Sequence, residues 1–254
     1  MTKVNICGIE IDNVLLQEST KIISEAVENK KNIYITTPNV HHIILLEKDN
    51  EFKKIYQEAY LVLADGMPLI WASKFLGTRL KEKVSGSDLV PEICKLAAEK
   101  GYSIFFLGGR PCAALKAKEN LEGIFPSIKI VGTYSPPFGF ENNIEENEKI
   151  LEMIKQSSPD ILLVGLGAPK QEKWIYKHYK ELGIPVSIGV GVTFEFVSGM
   201  VKRAPKWVQK IGLEWFWRLM MEPKRLWKRY LIHDIKFFGL VMKQKMRNSS
   251  TLIL

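Results

Sequence analysis

The sequence predicts an α/β protein built on a mainly parallel, Rossmann-like sheet with helices on both faces, followed by a basic amphipathic helical appendage. Three observations predict it. Short apolar runs recur along the chain, each closed by glycine or a small polar residue, as strands buried on both faces require. Between them lie segments of helical periodicity, the alternation of β and α that makes a parallel sheet. Charge is also unevenly divided: residues 201–254 carry 13 Lys/Arg against 3 Asp/Glu, and residues 1–200 carry 23 against 25. The expected division is an α/β domain over residues 1–200 and an appendage over 201–254.

Taken in order, the first 14 residues alternate apolar and polar around Gly8, as a short hairpin does. Residues 15–30 have the periodicity of an amphipathic helix, and Asn32–Thr36 read as a strand that Pro38 interrupts. A helix over 40–48 follows, then the apolar strand Tyr60–Ala64, ending at Asp65-Gly66. Helices are expected over 67–76 and 88–100, the second capped by Ser87 and carrying Pro91 in its early part. Ser103–Leu107 is a buried-strand run closed by Gly108-Gly109-Arg110, with a helix over Pro111–Gly123 behind it. Ile128–Val131, Ile161–Val164 and Val186–Val190 complete the set of strands.

Composition narrows the class. The chain has 254 residues, 46% apolar and 25% charged, with a net charge of +8; this excludes a disordered tail protein, a collagen-like repeat and a multipass membrane protein. Cys7, Cys94 and Cys112 form no CxxC pair, which argues against a disulfide scaffold and a structural zinc site. The N-terminus has no long apolar signal core, and no run reaches the ~18 apolar residues of a spanning helix. The expected location is cytoplasmic, with membrane contact peripheral, on the inner face of the cell membrane.

In parallel sheets ligands gather at the carboxyl ends of strands. Those ends carry Thr37-Pro38-Asn39, Asp65-Gly66, Gly108-Gly109-Arg110, Gly165–Gln171 and Gly189-Val190-Gly191, a set rich in glycine and small polar groups that suits phosphate or sugar. The amides of Gly108 and Gly109 either hold a phosphate at a helix N-terminus, with Arg110 adding charge, or form a tight strand-to-helix turn. Lys170, Gln171 and Glu172 enter a helix directly after Pro169, facing either a ligand or solvent. Asp65 terminates a core-like strand as either a general base or a turn cap. GxGxxG is not completed after Gly165 and GxxxxGK[ST] is absent; so are HExxH and Asp-x-Asp. A nucleotide diphosphate would have to be held by cationic side chains and helix termini.

The C-terminal segment reads as a helix from Pro205 to about Met221 and another from Pro223 to about Lys245. In the second, Trp227, Tyr230, Leu231, Phe238, Val241 and Met242 recur at three- and four-residue spacing among Lys224, Arg225, Lys228, Arg229 and Lys236. That pattern describes either an interfacial helix on an anionic membrane surface or a helix packed on its own domain. The apolar content favours lipid over nucleic acid, which is not an expected partner.

Thr37-Pro38-Asn39, Ala64-Asp65-Gly66, Gly86-Ser87-Asp88-Leu89, Phe106–Gly109, the block GLGAPKQEKW (165–174), GVGVTFEFVSG (189–199) and Arg203-Ala204-Pro205…Arg218…Glu222-Pro223…Arg225…Arg229-Tyr230 together resemble the WecG/TagA/CpsF glycosyltransferase family, TagA-type members most of all. The resemblance spans about residues 4–232. It implies an inverting, metal-independent transfer, without cofactor, from a UDP-sugar to N-acetylglucosamine on undecaprenyl diphosphate, in teichoic acid or related polysaccharide synthesis. For TagA-type members the donor is UDP-N-acetylmannosamine and the linkage β-1,4. Asp65 matches the family's base. Thr37, Asn39 and Gln171 match positions around the substrate, and Arg218 and Arg225 match arginines that complete the site over the diphosphate. Lys83 and Lys228 stand where arginine is usual; each keeps the charge and loses the bidentate fork. Should the appendage leave the body, the apolar surface beneath it would self-associate, which adds a homo-oligomer to the expected partners. A lipid-diphosphate binding protein without catalysis is the other class the tail would suit.

Overall fold

A computed structural model describes residues 1–251 of the chain. It opens with an antiparallel hairpin, β1 (Lys3–Ile6) and β2 (Ile9–Asp12), turned at Cys7-Gly8, both at positive φ. Then come α1 (Leu16–Glu28), β3 (Ile33–Thr36), α2 (Val40–Leu46), α3 (Asn50–Glu58), β4 (Leu61–Val62), α4 (Met67–Leu76) and α5 (Gly86–Lys100). The second half of the body holds β5 (Ser103–Gly108), α6 (Ala113–Ile124), β6 (Lys129–Tyr134), α7 (Ile144–Ser157), β7 (Ile161–Gly165), α8 (Lys170–Leu182), β8 (Val186–Gly189) and α9 (Thr193–Val197). The C-terminal segment contains α10 (Lys206–Lys210), α11 (Glu214–Met221), α12 (Pro223–Lys228), a π turn over Arg229–His233 and α13 (Lys236–Thr251).

Strands β3 to β8 form one six-stranded sheet in the order β4-β3-β8-β7-β5-β6, every pair parallel. Alternation along the strands fills two cores. Tyr34, Phe105, Leu107, Leu162 and Val164 point to the face covered by the hairpin, α2–α4, α7, α8 and α13. Ile33, Ile35, Ile104, Phe106 and Leu163 point to the face covered by α1, α5, α6 and α9. With both faces covered, the strands read as the continuous apolar runs seen in the sequence.

Several local expectations change. The helix expected over 40–48 stops at Leu46; a second one, α3, starts behind Asp49, whose carboxylate accepts the Phe52 N–H at 2.9 Å. Helix α7, unforeseen in the sequence, is capped by Asn143. Helix α5 is capped by Ser85, whose Oγ accepts from the Asp88 N–H, rather than by Ser87, whose hydroxyl lies 3.4 Å from Thr193 Oγ1. The first of the two long tail helices is broken at Gly212 and the second through the π turn, while the expected boundary at Glu222-Pro223 is kept. These breaks shift the helical phase, so Leu226, Phe237 and Val241 are the residues packed inward. Trp227, Leu231, Phe238 and Met242, expected on the same stripe as Val241, are exposed. No helix among the described residues is long and apolar enough to cross a membrane.

The ends of β5 and β7 approach closely. Gly108 sits at φ 108°, and a Cβ there would lie 2.6 Å from the Gly165 carbonyl oxygen, which also accepts the Gly109 N–H at 2.8 Å. Gly108→Ala is expected to lower unfolding free energy by roughly 2 kcal/mol, from strain at positive φ and overpacking against backbone. Urea denaturation checks this; an unchanged midpoint would mean the strand ends stand further apart in solution.

Candidate active site

Neighbouring strands β3 and β8 feed helices on opposite faces: α2 packs with the first core and α9 with the second. A crevice must open where such connections diverge. Thr37 Oγ1 spans it, donating to the Gly189 carbonyl at 2.9 Å. Above lies a cavity of ≈580 Å³ whose lining includes Thr37, Asn39, Asp65, Lys83 and Gln171 from the body and Arg218, Arg225, Arg229 and Tyr230 from the C-terminal segment.

Asp65 follows β4 and is pinned through its N–H to the Pro38 carbonyl at 2.8 Å, while Gly66, at φ 120°, turns the chain into α4. Burial raises its carboxyl pKa above the usual value; the positive charges of Lys83 and His42 pull it back, and Glu214 and Asp88 push it up again. A carboxylate so placed holds a proton more readily than an exposed aspartate.

Around it the polar side chains are braced. Asn39 Oδ1 caps α2 by accepting the His41 N–H at 3.0 Å; it also accepts from Arg229 Nη2 at 3.3 Å and lies 2.8 Å from His42 Nδ1. Its amide nitrogen is the end left for the cavity. Gln171 is committed at both ends: Oε1 accepts from the Gly191 and Gly167 N–H groups, and Nε2 donates to Glu172 Oε1 at 2.7 Å. Glu172 is fully buried and also meets His42 Nε2 at 3.2 Å, so the start of α8 and the start of α2 are joined through one carboxylate. Lys83 reaches Asp88 Oδ2 at 2.5 Å, and Arg203 holds Asp88 Oδ1 at 2.5 Å and Glu214 Oε1 at 3.2 Å. Burial would raise the Asp88 carboxyl, but Lys83 and Arg203 hold it down at about 2. This cluster fastens the C-terminal segment to the N-terminus of α5.

The cavity's arginines differ in how they are compensated. Arg225 is paired with Glu222, which also takes Arg110. Arg229 lies 3.5 Å from Asp234, itself 3.1 Å from His41. Arg218 stacks over Phe196, its Nε is buried without a hydrogen-bond partner, and it has no ion pair among the described residues. A half-buried cation without a counter-charge among its described neighbours is stabilised when an anion joins it.

The structure thus brings together Asp65, Thr37, Asn39, Lys83, Gln171, Arg218 and Arg225. Lys228 lies outside the cavity, exposed, with its ammonium over the neighbouring Trp227 ring. Gly108, Gly109 and Arg110 also lie outside its lining. Their geometry is that of the strand-to-helix turn: Gly109 N–H goes to Gly165 and Arg110 N–H to Glu195 Oε1 at 3.1 Å, so these amides are satisfied internally. Arg110 reaches the site only through Glu222. Sequence reasoning missed Arg229 as a lining residue, although it lies one helical turn beyond Arg225, and missed the His42–Glu172 brace, whose partners are 130 residues apart. Among the described residues no group of three or more His, Cys, Asp or Glu converges as a metal site requires.

The chain is similar to proteins named N-acetylglucosaminyldiphosphoundecaprenol N-acetyl-beta-D-mannosaminyltransferase. That of Bacillus subtilis (strain 168) is 30% identical over 225 residues, 89% of this chain and 84% of the relative. That of Staphylococcus aureus (strain MW2) is 29% identical over 226 residues, 88% and 87% of the two chains. That of Bacillus spizizenii (strain ATCC 23059 / NRRL B-14472 / W23) is 28% identical over 221 residues, 87% and 83%. The sequence model of the glycosyl transferase WecG/TagA/CpsF family matches residues 4–251, and the chain, with its strand-end aspartate and arginine-lined crevice, belongs to that family.

Proposed function

We propose that this glycosyltransferase moves N-acetylmannosamine from UDP-N-acetylmannosamine to N-acetylglucosamine on undecaprenyl diphosphate, forming a β-1,4 linkage. The observation that carries the reading is a carboxylate of raised pKa sharing one cavity with Arg218, a cation with no ion pair among the described residues. The names of the relatives supply the substrates. In the proposed step Asp65 takes the proton of the acceptor hydroxyl as its oxygen attacks the anomeric carbon from the face opposite UDP. The bond to the β-phosphate oxygen breaks, and its electron pair leaves as phosphate charge facing Arg218 and Arg225. Arg225 becomes available as Glu222 retains Arg110, a partner it already holds. Thr37 and Asn39 stand beside Asp65 to orient the sugars, Gln171 keeps the crevice in shape, and Lys83 tunes the base.

On this reading residues 201–254 are an appendage that completes the active site of the 1–200 domain and rests on the anionic inner leaflet. Its charge supports this, as do Trp207, Ile211, Phe216, Met220, Trp227 and Leu231, all exposed. The protein is expected to sediment with vesicles containing anionic lipid, and salt should weaken but not abolish this, because apolar insertion is unscreened. Vesicle binding that vanishes in high salt would argue for charge alone.

The reading is tested by offering a panel of UDP-sugars with a short-chain polyprenyl-diphosphate N-acetylglucosamine and weighing the product. N-acetylmannosamine transfer is expected; a product mass showing a uronic acid or a hexose would reassign the donor within the family. Asp65→Asn should reduce turnover roughly 10²–10⁴-fold, the usual contribution of a general base, with the circular dichroism spectrum and melting temperature retained. Near-normal turnover would remove Asp65 from that role. The pH profile gives a further check. The raised Asp65 pKa places the acid limb of kcat/KM above the ordinary aspartate range, since the base works only when ionised. Lys83 favours that ionised form, so Lys83→Met should move the limb to higher pH.

A further inference from the structure

We infer that a trough between α4 and α13 holds the first part of the acceptor's isoprenoid chain, with Trp71, Phe75, Phe238 and Met242 as its walls; this rests on the acceptor reading above. The cavity is chemically mixed. Beside Asp65 and the arginines its lining includes Trp71, Leu231, Ile235 and Phe238, all substantially exposed. Helices α4 and α13 pack against each other and share the first core. Trp71 and Phe75 are one turn apart on α4; Phe238, Met242 and Lys245 succeed one another along α13. Trp71 and Phe238 both line the cavity, and at the far end Lys245 Nζ lies 5.7 Å from the Phe75 ring. The two helices therefore run outward from the site side by side, each presenting an apolar row.

Packing does not account for those rows. Helix α13 is already seated by Phe237 and Val241, at 1% and 6% exposure, while Trp71, Phe75, Phe238 and Met242 remain 44%, 47%, 58% and 51% exposed. The turn at Gly212 leans on the trough's inner end: a Cβ there would come within 2.4 Å of the Trp71 indole. The trough shares Trp71 and Phe238 with the cavity that holds Asp65, and an acceptor whose sugar hydroxyl reaches Asp65 carries its chain away from that cavity through its own diphosphate. Rings and a flexible thioether suit an irregular, methyl-branched chain. Lys245, beside the outer end, is suited to the phosphate layer of the lipid surface at which the chain would emerge. A flat bilayer contact would not begin inside the cavity.

The test uses the full-length protein without detergent and measures calorimetric binding of farnesyl diphosphate, below its micelle concentration, against inorganic diphosphate. Wild type should bind the farnesyl compound at least about tenfold more tightly, as burial of a branched hydrocarbon requires. Phe75→Ser with Met242→Ser, neither residue lining the cavity, should keep the affinity for inorganic diphosphate and shrink the chain's advantage to below about threefold. The inference is overturned by a wild type indifferent to the chain, by an advantage that survives in the variant, or by equal losses for both ligands. It is also overturned by a variant that loses only vesicle binding. Sugar transfer is not read here, so a chain advantage lost in the variant together with no glycosylation of any polyprenyl acceptor would sink the acceptor reading while leaving the trough an isoprenoid site.

Discussion

A parallel sheet covered on both faces has nowhere to place polar chemistry except at its edges and strand ends, because a polar group within it would be buried without water. Every residue of β7 and of β8 is buried, and the sheet accordingly carries no cavity-lining side chain until the chain leaves it at Thr37, Asp65, Gly167 and Val190. Strand order then decides which ends matter. Where α2 and α9 depart to opposite faces the adjacent ends of β3 and β8 stay uncovered between them, and Thr37, bonded to Gly189, marks that line. The C-terminal helices roof the opening with arginines.

Gathering cations around one cavity sets them against each other, and the protein answers with carboxylates. Glu222 is shared by Arg110 and Arg225, Asp234 by Arg229 and His41, and Asp88 by Lys83 and Arg203. These pairs hold the side chains in place before any ligand arrives, which is how fixed charges stabilise a reacting group without reorganising. Arg218 stands outside the arrangement, resting on the Phe196 ring, so a ligand's negative charge meets least internal competition there.

Much of this was legible in the sequence. Apolar runs closed by glycine located the buried strands, and reading the residues just beyond them brought out Thr37, Asn39, Asp65 and Gln171 together. What stayed hidden depends on distance in sequence or on phase. The brace from His42 to Glu172 joins residues with no local pattern in common. The tail's apolar stripe was read as one unbroken 3.6-residue period across a π turn; the turn divides it, so Val241 packs inward beside Phe237 while Trp227, Leu231, Phe238 and Met242 face outward. Helix α7 went unread between two strands, and the glycines after β5 resembled a phosphate loop because glycine serves close backbone approach and ligand approach alike.

The hairpin at the start of the chain is finished by its end. Gln244 accepts the Cys7 N–H at 2.7 Å and donates to the Asn5 carbonyl at 3.0 Å, while Phe237 and Val241 share a core with Val4, Ile6, Ile9 and Ile11. During synthesis the hairpin leaves the ribosome long before α13, so its apolar side stays incompletely covered until α13 is released. Folding of the hairpin is thereby tied to the arrival of α13. A product stopped short of α13 would carry both an unroofed crevice and an open seam at its N-terminus, the kind of surface that chaperones and proteases recognise.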